Sequence, residues 1–309
     1  MAQRAVVDIR SVPFPPVSIP VLSGLAPLAA RYDAFILDLW GVIHDGIAPY
    51  PGVLDGLGRL RAAGKRVVLL SNAPRRSAKV AAELGRMGID DALYDAVLTS
   101  GEATRIALTR RDDAAFAALG RRYLFIGKDG DRDLLDGLDY RSVDDVAEAD
   151  FLLDTGLGLG PEGPLGVADY ADPLAAARAR ALPMVCANPD LAVIRGGRRE
   201  ACAGALAQHY AGLVGAVLYR GKPYPEIYRL CRTLLDGAST GRVLAVGDGL
   251  ATDIVGARDA GIDALLVTGG LLADAWGVDP AAPPDPARVA AACAEAGVAP
   301  IAAIAALTW

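Results

Sequence analysis

Histidine is almost missing from this chain, with two in 309 residues, and the four cysteines include no Cys-x-x-Cys pair. A zinc site needs clustered nitrogen and sulfur ligands, so this scarcity argues against one. Cys186, Cys202, Cys231 and Cys293 are too scattered for a disulfide framework and are expected as free thiols in a reducing compartment. No apolar run reaches the ~20 residues that a membrane-spanning helix requires. Arg4, Asp8, Arg10 and the prolines at 13, 15, 16 and 20 interrupt the stretch where a secretory signal would need unbroken apolar sequence. The expected location is therefore the cytoplasm. Excess positive charge is missing too: 31 Lys and Arg against 37 Asp and Glu leave a net charge of -6. That balance offers no footprint for nucleic acid or an anionic membrane surface. The pairs Arg75–Arg76 and Arg198–Arg199 have no interleaved aromatics, as a nucleic-acid platform would.

What is present suits a globular fold: 53% hydrophobic and 22% charged residues, long enough for a full core and a second domain. After a proline-rich lead-in and a short helix near 22–31, residues 34–39 form a compact apolar run broken only by Asp38. Such a run reads as a buried parallel strand. A Gly/Pro-rich loop over 41–52 leads to an amphipathic helix through Leu54, Leu57, Leu60 and Ala63, stopped at Gly64. A second strand spans 67–70, a helix passes through Val80, Leu84 and Met87, and a third strand covers 96–98. Strands at 243–246 and 264–267 flank a helix around 254–260. This alternation predicts an α/β fold with a parallel sheet covered by helices on both faces. The intervening stretch has strand candidates of its own at 123–126, 151–153 and 184–186. The expected domains are a core of 1–100 and 218–309 and an inserted unit of 101–217.

In an open parallel sheet, ligands gather beyond the carboxyl ends of the strands. Three such ends here are polar: Asp38-Leu39-Trp40-Gly41, Ser71-Asn72, and Gly247-Asp248-Gly249 with Asp253 five residues beyond Asp248. Lys222 joins them within Gly-Lys-Pro-Tyr-Pro. A carboxylate can attack phosphorus and form an aspartyl-phosphate. Magnesium prefers oxygen ligands, and a hydroxyl and a lysine can hold the non-bridging phosphate oxygens. Each residue alone has a commonplace reading. Ser71-Asn72 is also an ordinary turn pair, Lys222 a solvated lysine, and Asp253 a carboxylate in the first turn of a helix. Their combination in this chain order points to phosphoryl chemistry.

These four segments, FILDLWGVIHDG, VVLLSNAPRRS, RGKPYPEIY and LAVGDGLATDIVGARDAGI, resemble the motifs of the haloacid dehalogenase (HAD) superfamily. With SGEAT at 100–104 and NPDLAVIRGGR at 188–198, the sub-type is similar to class IIA. The resemblance covers about residues 32–270. It implies a Rossmann-like core with an inserted α/β cap of the C2 type, and a Mg²⁺-dependent phosphatase acting on a small phosphorylated metabolite. By position it makes Asp38 the nucleophile, and Ser71 and Lys222 the phosphate grips with Asn72 beside them. The metal would be held by Asp38, the backbone carbonyl of Trp40, Asp248 and Asp253. A homodimer through the cap is a further expectation from the family.

One position departs from the pattern. Family phosphatases read Asp-x-Asp in the first motif, and the second Asp is the general acid/base; here it is Trp40. General acid–base help is worth about 10²–10⁴ in rate, and it matters most for an alkyl phosphate with a poor leaving group. The chain is then expected to act on an activated phosphate, to draw a proton from another group with His44 and Asp45 the nearest, or to bind a phosphate ligand with little turnover. A bulky aromatic here also brings metal-independent dehalogenase-type hydrolysis into view, although Asp248 and Asp253 favour phosphorus. Packing explains Trp40 equally well. His44 reads more simply as a structural histidine, Arg195, Arg198 and Arg199 as a solvated turn, and His209 as a helix-face residue.

Overall fold

The computed structural model describes residues 18–161, 163–195, 198–235 and 241–309. The first 17 residues, with most of the proline-rich lead-in, and the side chains of Arg195, Arg198 and Arg199 lie outside the described residues. Along the chain come α1 (Ala26–Ala29), β1 (Ala34–Asp38), α2 (Val53–Ala62), β2 (Arg66–Ser71), α3 (Ser77–Arg86), β3 (Ala96–Thr99), α4 (Ser100–Arg110) and α5 (Ala114–Ala117). Next are β4 (Arg122–Ile126), β5 (Arg141–Val143), β6 (Phe151–Asp154), β7 (Leu159–Gly160), β8 (Gly163–Pro164), α6 (Ala171–Ala179), β9 (Met184–Cys186), β10 (Ala192–Arg195), β11 (Arg198–Ala201), α7 (Ala203–Gly212) and β12 (Val217–Tyr219). The chain closes with α8 (Pro225–Leu234), β13 (Val243–Gly247), α9 (Val255–Asp259), β14 (Asp263–Val267), α10 (Leu271–Trp276), α11 (Pro286–Glu295) and β15 (Ala302–Ile304).

Six strands form the core sheet in the order β15-β14-β13-β1-β2-β3, every pair parallel. Side chains alternate across it, so Phe35 and Leu37 of β1 enter one apolar layer while Ala34 and Ile36 enter the other. Burial on both faces explains why these strands read as continuous apolar runs. From β1 the chain builds outward through β2 and β3, then returns to build β13, β14 and β15 on the other side. Order reverses between β1 and β13, and a crevice forms there beyond the strand ends.

The second sheet, β12-β9-β6-β4-β5, is also parallel. Phe151 and Leu153 pack on one of its faces and Leu152 on the other. It takes in β12, which runs to Tyr219, past the boundary expected at 217. β5, β12, β15 and the antiparallel hairpin β10–β11 were not foreseen; the strands among them are three or four residues long, too short for a periodic signal. The helix expected over 22–31 shortens to four residues. Among the described residues no helix is long and apolar enough to cross a membrane.

Candidate active site at the core–cap crevice

Four acidic or basic side chains meet at the point where the core sheet reverses. Asp38 ends β1, Asp248 follows β13, and both are buried. Asp253 lies five residues further on, in a π-helical turn at Leu250–Ile254 that precedes α9. The wider turn carries this carboxylate inward at a position where a regular helix would have begun. Carboxylate oxygens of Asp38, Asp248 and Asp253 lie within 4.8 Å of one another. Lys222 enters from the loop before α8; its Nζ donates to Asp38 Oδ1 and, at 2.8 Å, to Asp253 Oδ1.

Backbone donors fix two further oxygens. Leu271 N–H donates to Asp248 Oδ2 at 2.9 Å, and Gly249 N–H to Asp253 Oδ2 at 3.2 Å. Gly41 has φ 84°, and a Cβ there would stand 2.1 Å from Asp248 Oδ2. Glycine is therefore the residue that lets the β1 loop pass so close to the carboxylate.

Three carboxylates face a single ammonium, and the electrostatics follow from that count. Burial, then Asp253, pushes Asp38 well above the ordinary carboxylate range despite Lys222. Burial, reinforced by Asp253, raises Asp248 to about 7. Burial works to lower Lys222, but Asp253 and Asp38 outweigh it and hold the ammonium above its usual value. A cluster short of positive charge and built from oxygen donors can hold a hard divalent cation.

Ser71 and Asn72 flank this centre at the end of β2. Ser71 Oγ accepts from Ala73 N–H at 3.2 Å and borders a cavity of about 160 Å³ between core and cap. Asn72 is spent on protein partners. Its Oδ1 accepts from Lys222 N–H at 2.7 Å, and its Nδ2 donates to Asp190 Oδ1 at 2.8 Å and to Lys222 O at 3.1 Å. It thus ties β2, the lysine loop and the cap together.

Trp40 does not reproduce the missing carboxyl. Its ring meets His44 edge-on, with centroids 5.4 Å apart, and rests over Gly46, where a Cβ would be 2.2 Å from the indole. The indole borders the cavity and also a second cleft, about 510 Å³, that reaches Asp248 from the α10 side. Of the two nearest proton candidates, Asp45 is committed to its own loop. Its Oδ1 accepts from Ile47 and Ala48 N–H at 2.8 Å each, and those bonds, that from Ala48 foremost, hold it below the usual range. It borders the second cleft instead of the cavity. His44 borders the cavity, but its Nδ1 accepts from Gly46 N–H at 2.9 Å and burial lowers its pKa. His209 is exposed on α7 and does not border the cavity.

Several cavity residues carried no sequence expectation of a role. Asp190 follows β9, and Lys128, Asp131 and Thr155 follow β4 and β6; all border the cavity, as does Arg75 of the core. Applying the strand-end rule to the cap sheet as well would have drawn attention to the cap residues among them. Core and cap are latched beside them: Lys79 Nζ meets Asp133 at 2.7 Å and Gly130 O at 2.8 Å, and Arg75 lies 3.6 Å from Asp131.

Residues 35–141 match the haloacid dehalogenase-like hydrolase profile, and residues 219–296 match a second, HAD-hydrolase-like profile. A haloacid dehalogenase-like family hydrolase from Brucella suis is 35% identical, superposes with a TM-score of 0.77, and is covered over its whole length by 93% of this chain. The chain belongs to the haloacid dehalogenase-like hydrolase family. Within that family it is 28% identical over 257 residues to a D-glycerol 3-phosphate phosphatase of Mycobacterium tuberculosis. That match takes 79% of this chain and spans 65% of the relative's length. A glycerol phosphate phosphatase from the same organism, solved with magnesium, superposes at a TM-score of 0.61 with 26% identity, over 79% of this chain and 69% of its own.

Proposed function

We propose that this HAD-family hydrolase is a Mg²⁺-dependent phosphoric monoester hydrolase that uses Asp38 as nucleophile on a small phosphorylated metabolite. The observation that carries the reading is the buried meeting of Asp38, Asp248 and Asp253 around Lys222, next in the chain and in space to Leu39 and Asn72, which line the cavity. The glycerol phosphate phosphatase relatives support it. Cysteines that are free and buried suit the cytoplasm.

Asp38, Asp248 and Asp253, with the Trp40 carbonyl, would hold the cation, which supplies charge neutralisation for the phosphoryl oxygens. The other steps belong to the chain. Lys222 pairs with oxygens of the phosphoryl group as charge redistributes, and Ser71 Oγ turns from its backbone partner to donate to the same group. Asn72 keeps Lys222 in place through the lysine's own backbone. Asp38 attacks in line, and the cap closes over the cavity to exclude bulk water.

Retention of Asp248 and Asp253 disfavours halide chemistry. Hydrolysis of p-nitrophenyl phosphate and acetyl phosphate, with Mg²⁺ and with excess chelator, tests the reading. Turnover that stops on chelation is expected; chloride release from a 2-haloacid under chelation would overturn it, as would tight phosphate-ester binding with no product over hours.

A further inference from the structure

With Trp40 in the acid/base position, a proton donor for the leaving group has to come from elsewhere. An in-line displacement puts the leaving oxygen on the side of phosphorus away from Asp38. Next to Asp38 the space open to a leaving group is the cavity, lined by Leu39, Trp40 and Ser71 of the core and by Asn188 and Asp190 of the cap.

Few groups bordering the cavity are disposed to give and take a proton there. Asp131 and Lys128 face ionic partners, Arg75 and Glu200, each at 3.6 Å. Burial pushes the Cys202 thiol up to about 12. His44 has one ring nitrogen committed to the Gly46 N–H. Asp190 is differently placed. It hangs from the loop after β9, and its Oδ1 takes a single hydrogen bond, from the Nδ2 of Asn72, the neighbour of Ser71. Its Oδ2 accepts no hydrogen bond among the described residues, and the residue keeps part of its surface open to the cavity.

We propose that Asp190, carried by the cap, is the general acid and base of this enzyme, in the place of the carboxyl that Trp40 replaces. The inference rests on the phosphatase reading above. In the first step an Asp38 carboxylate oxygen bonds to phosphorus, the bond to the leaving oxygen breaks, and the Asp190 carboxyl gives its proton to that oxygen. In the second, water attacks phosphorus and loses a proton to the Asp190 carboxylate as the bond to Asp38 breaks. Inorganic phosphate is released and Asp190 is protonated again. Deep placement in protein raises this carboxyl above the ordinary range against the pull of Lys222 and Asn72, so a proton is held closer to neutrality.

The test is leaving-group dependence in Asp190→Asn, which keeps an oxygen for Asn72 to meet and so preserves the core–cap contact. kcat/KM covers only the steps up to the aspartyl-phosphate. In D190N it should fall about 10²–10⁴-fold on glycerol 3-phosphate and less than about tenfold on p-nitrophenyl phosphate, whose leaving group needs no proton. Rapid mixing of D190N with p-nitrophenyl phosphate should give a burst of p-nitrophenol, because the second step has lost its base. In Asp190→Ala, added formate should restore glycerol 3-phosphate turnover by about tenfold or more. Equal losses on both esters, without burst or rescue, would reduce Asp190 to a docking contact and overturn the proposal. If the wild type hydrolyses neither ester, the phosphatase reading fails first and takes this inference with it.

Discussion

Core and cap are both parallel sheets clad in helices, and both end a central strand in a buried aspartate, yet the two carboxyls have opposite surroundings. Asp38, at the end of β1, meets a lysine and two further carboxylates. Asp154, at the end of β6, is fully buried; its Oδ1 accepts from Gly156 N–H at 3.0 Å, and its Oδ2 has no hydrogen-bond partner among the described residues. Among the described residues no cation balances it, and burial pushes it well above the ordinary range. The difference teaches that the charges assembled around a strand-end carboxylate set its character: both aspartates stand beside a reversal of strand order, and among the described residues the core brings a lysine to its aspartate.

The largest expected effect lies on the core side. Asp38→Asn should lower phosphate-ester turnover by about 10⁴-fold or more, the scale of removing a nucleophile; steady-state rates holding within about a hundredfold of the parent would erase the contrast between the two aspartates. The next concerns the cap. Because the folded-state pKa of Asp154 is raised, the native chain keeps a proton that the unfolded chain releases above about pH 4. The parent therefore loses stability as pH rises through that window, and Asp154→Asn does not. The stability difference between them should change by up to about 1.4 kcal/mol per pH unit in favour of the variant. Urea unfolding at pH 5 to 8 reads it, and a flat difference would mean that Asp154 is charged in the fold after all.

A smaller effect is expected at Trp40. Trp40→Asp removes the packing on Gly46 and His44, costing about 1–3 kcal/mol, and adds a second carboxyl near the leaving group. Activity on glycerol 3-phosphate should rise by about tenfold or less, and more than on p-nitrophenyl phosphate; equal changes on both would show that protonation is not what separates them. Smallest is the latch. Lys79 and Asp133 are each about 40% exposed, so Lys79→Ala should weaken cap docking by about 0.2–1 kcal/mol. That appears as a modest rise in KM that fades at 1 M salt, where the pair is screened. A rise that persists in salt would point to lost packing.

Part of the core site stood out in the sequence because three of its residues sit at the ends of apolar strands, where a single polar residue is conspicuous, while Lys222 and Asp253 stood out by the motifs around them. Asp38, Ser71 and Asp248 are of that kind, and the bounds of β1, β2 and β13 fell within a residue or so of expectation. Asp190 lies beyond the end of β9, whose bounds were legible, but Ala187, Asn188 and Pro189 intervene before the carboxyl, so it was not singled out as a strand-end residue. The commitment of Asn72 to Lys222 and Asp190 is a matter of side-chain direction across more than a hundred residues of separation, which periodicity does not encode. Nor could the sequence reveal that His44 and Asp45, adjacent in the chain, border different clefts, since that depends on the path of the loop around Trp40.

The three bonds of Asn72 bear on how the enzyme resets between turnovers. On the reading proposed above, a lifting of the cap to release product would break, of these three, only the bond to Asp190; both bonds to the backbone of Lys222 lie within the core. The floor that would receive the next phosphate group would then keep its shape while the roof is away, and reorganisation would be confined to the cap.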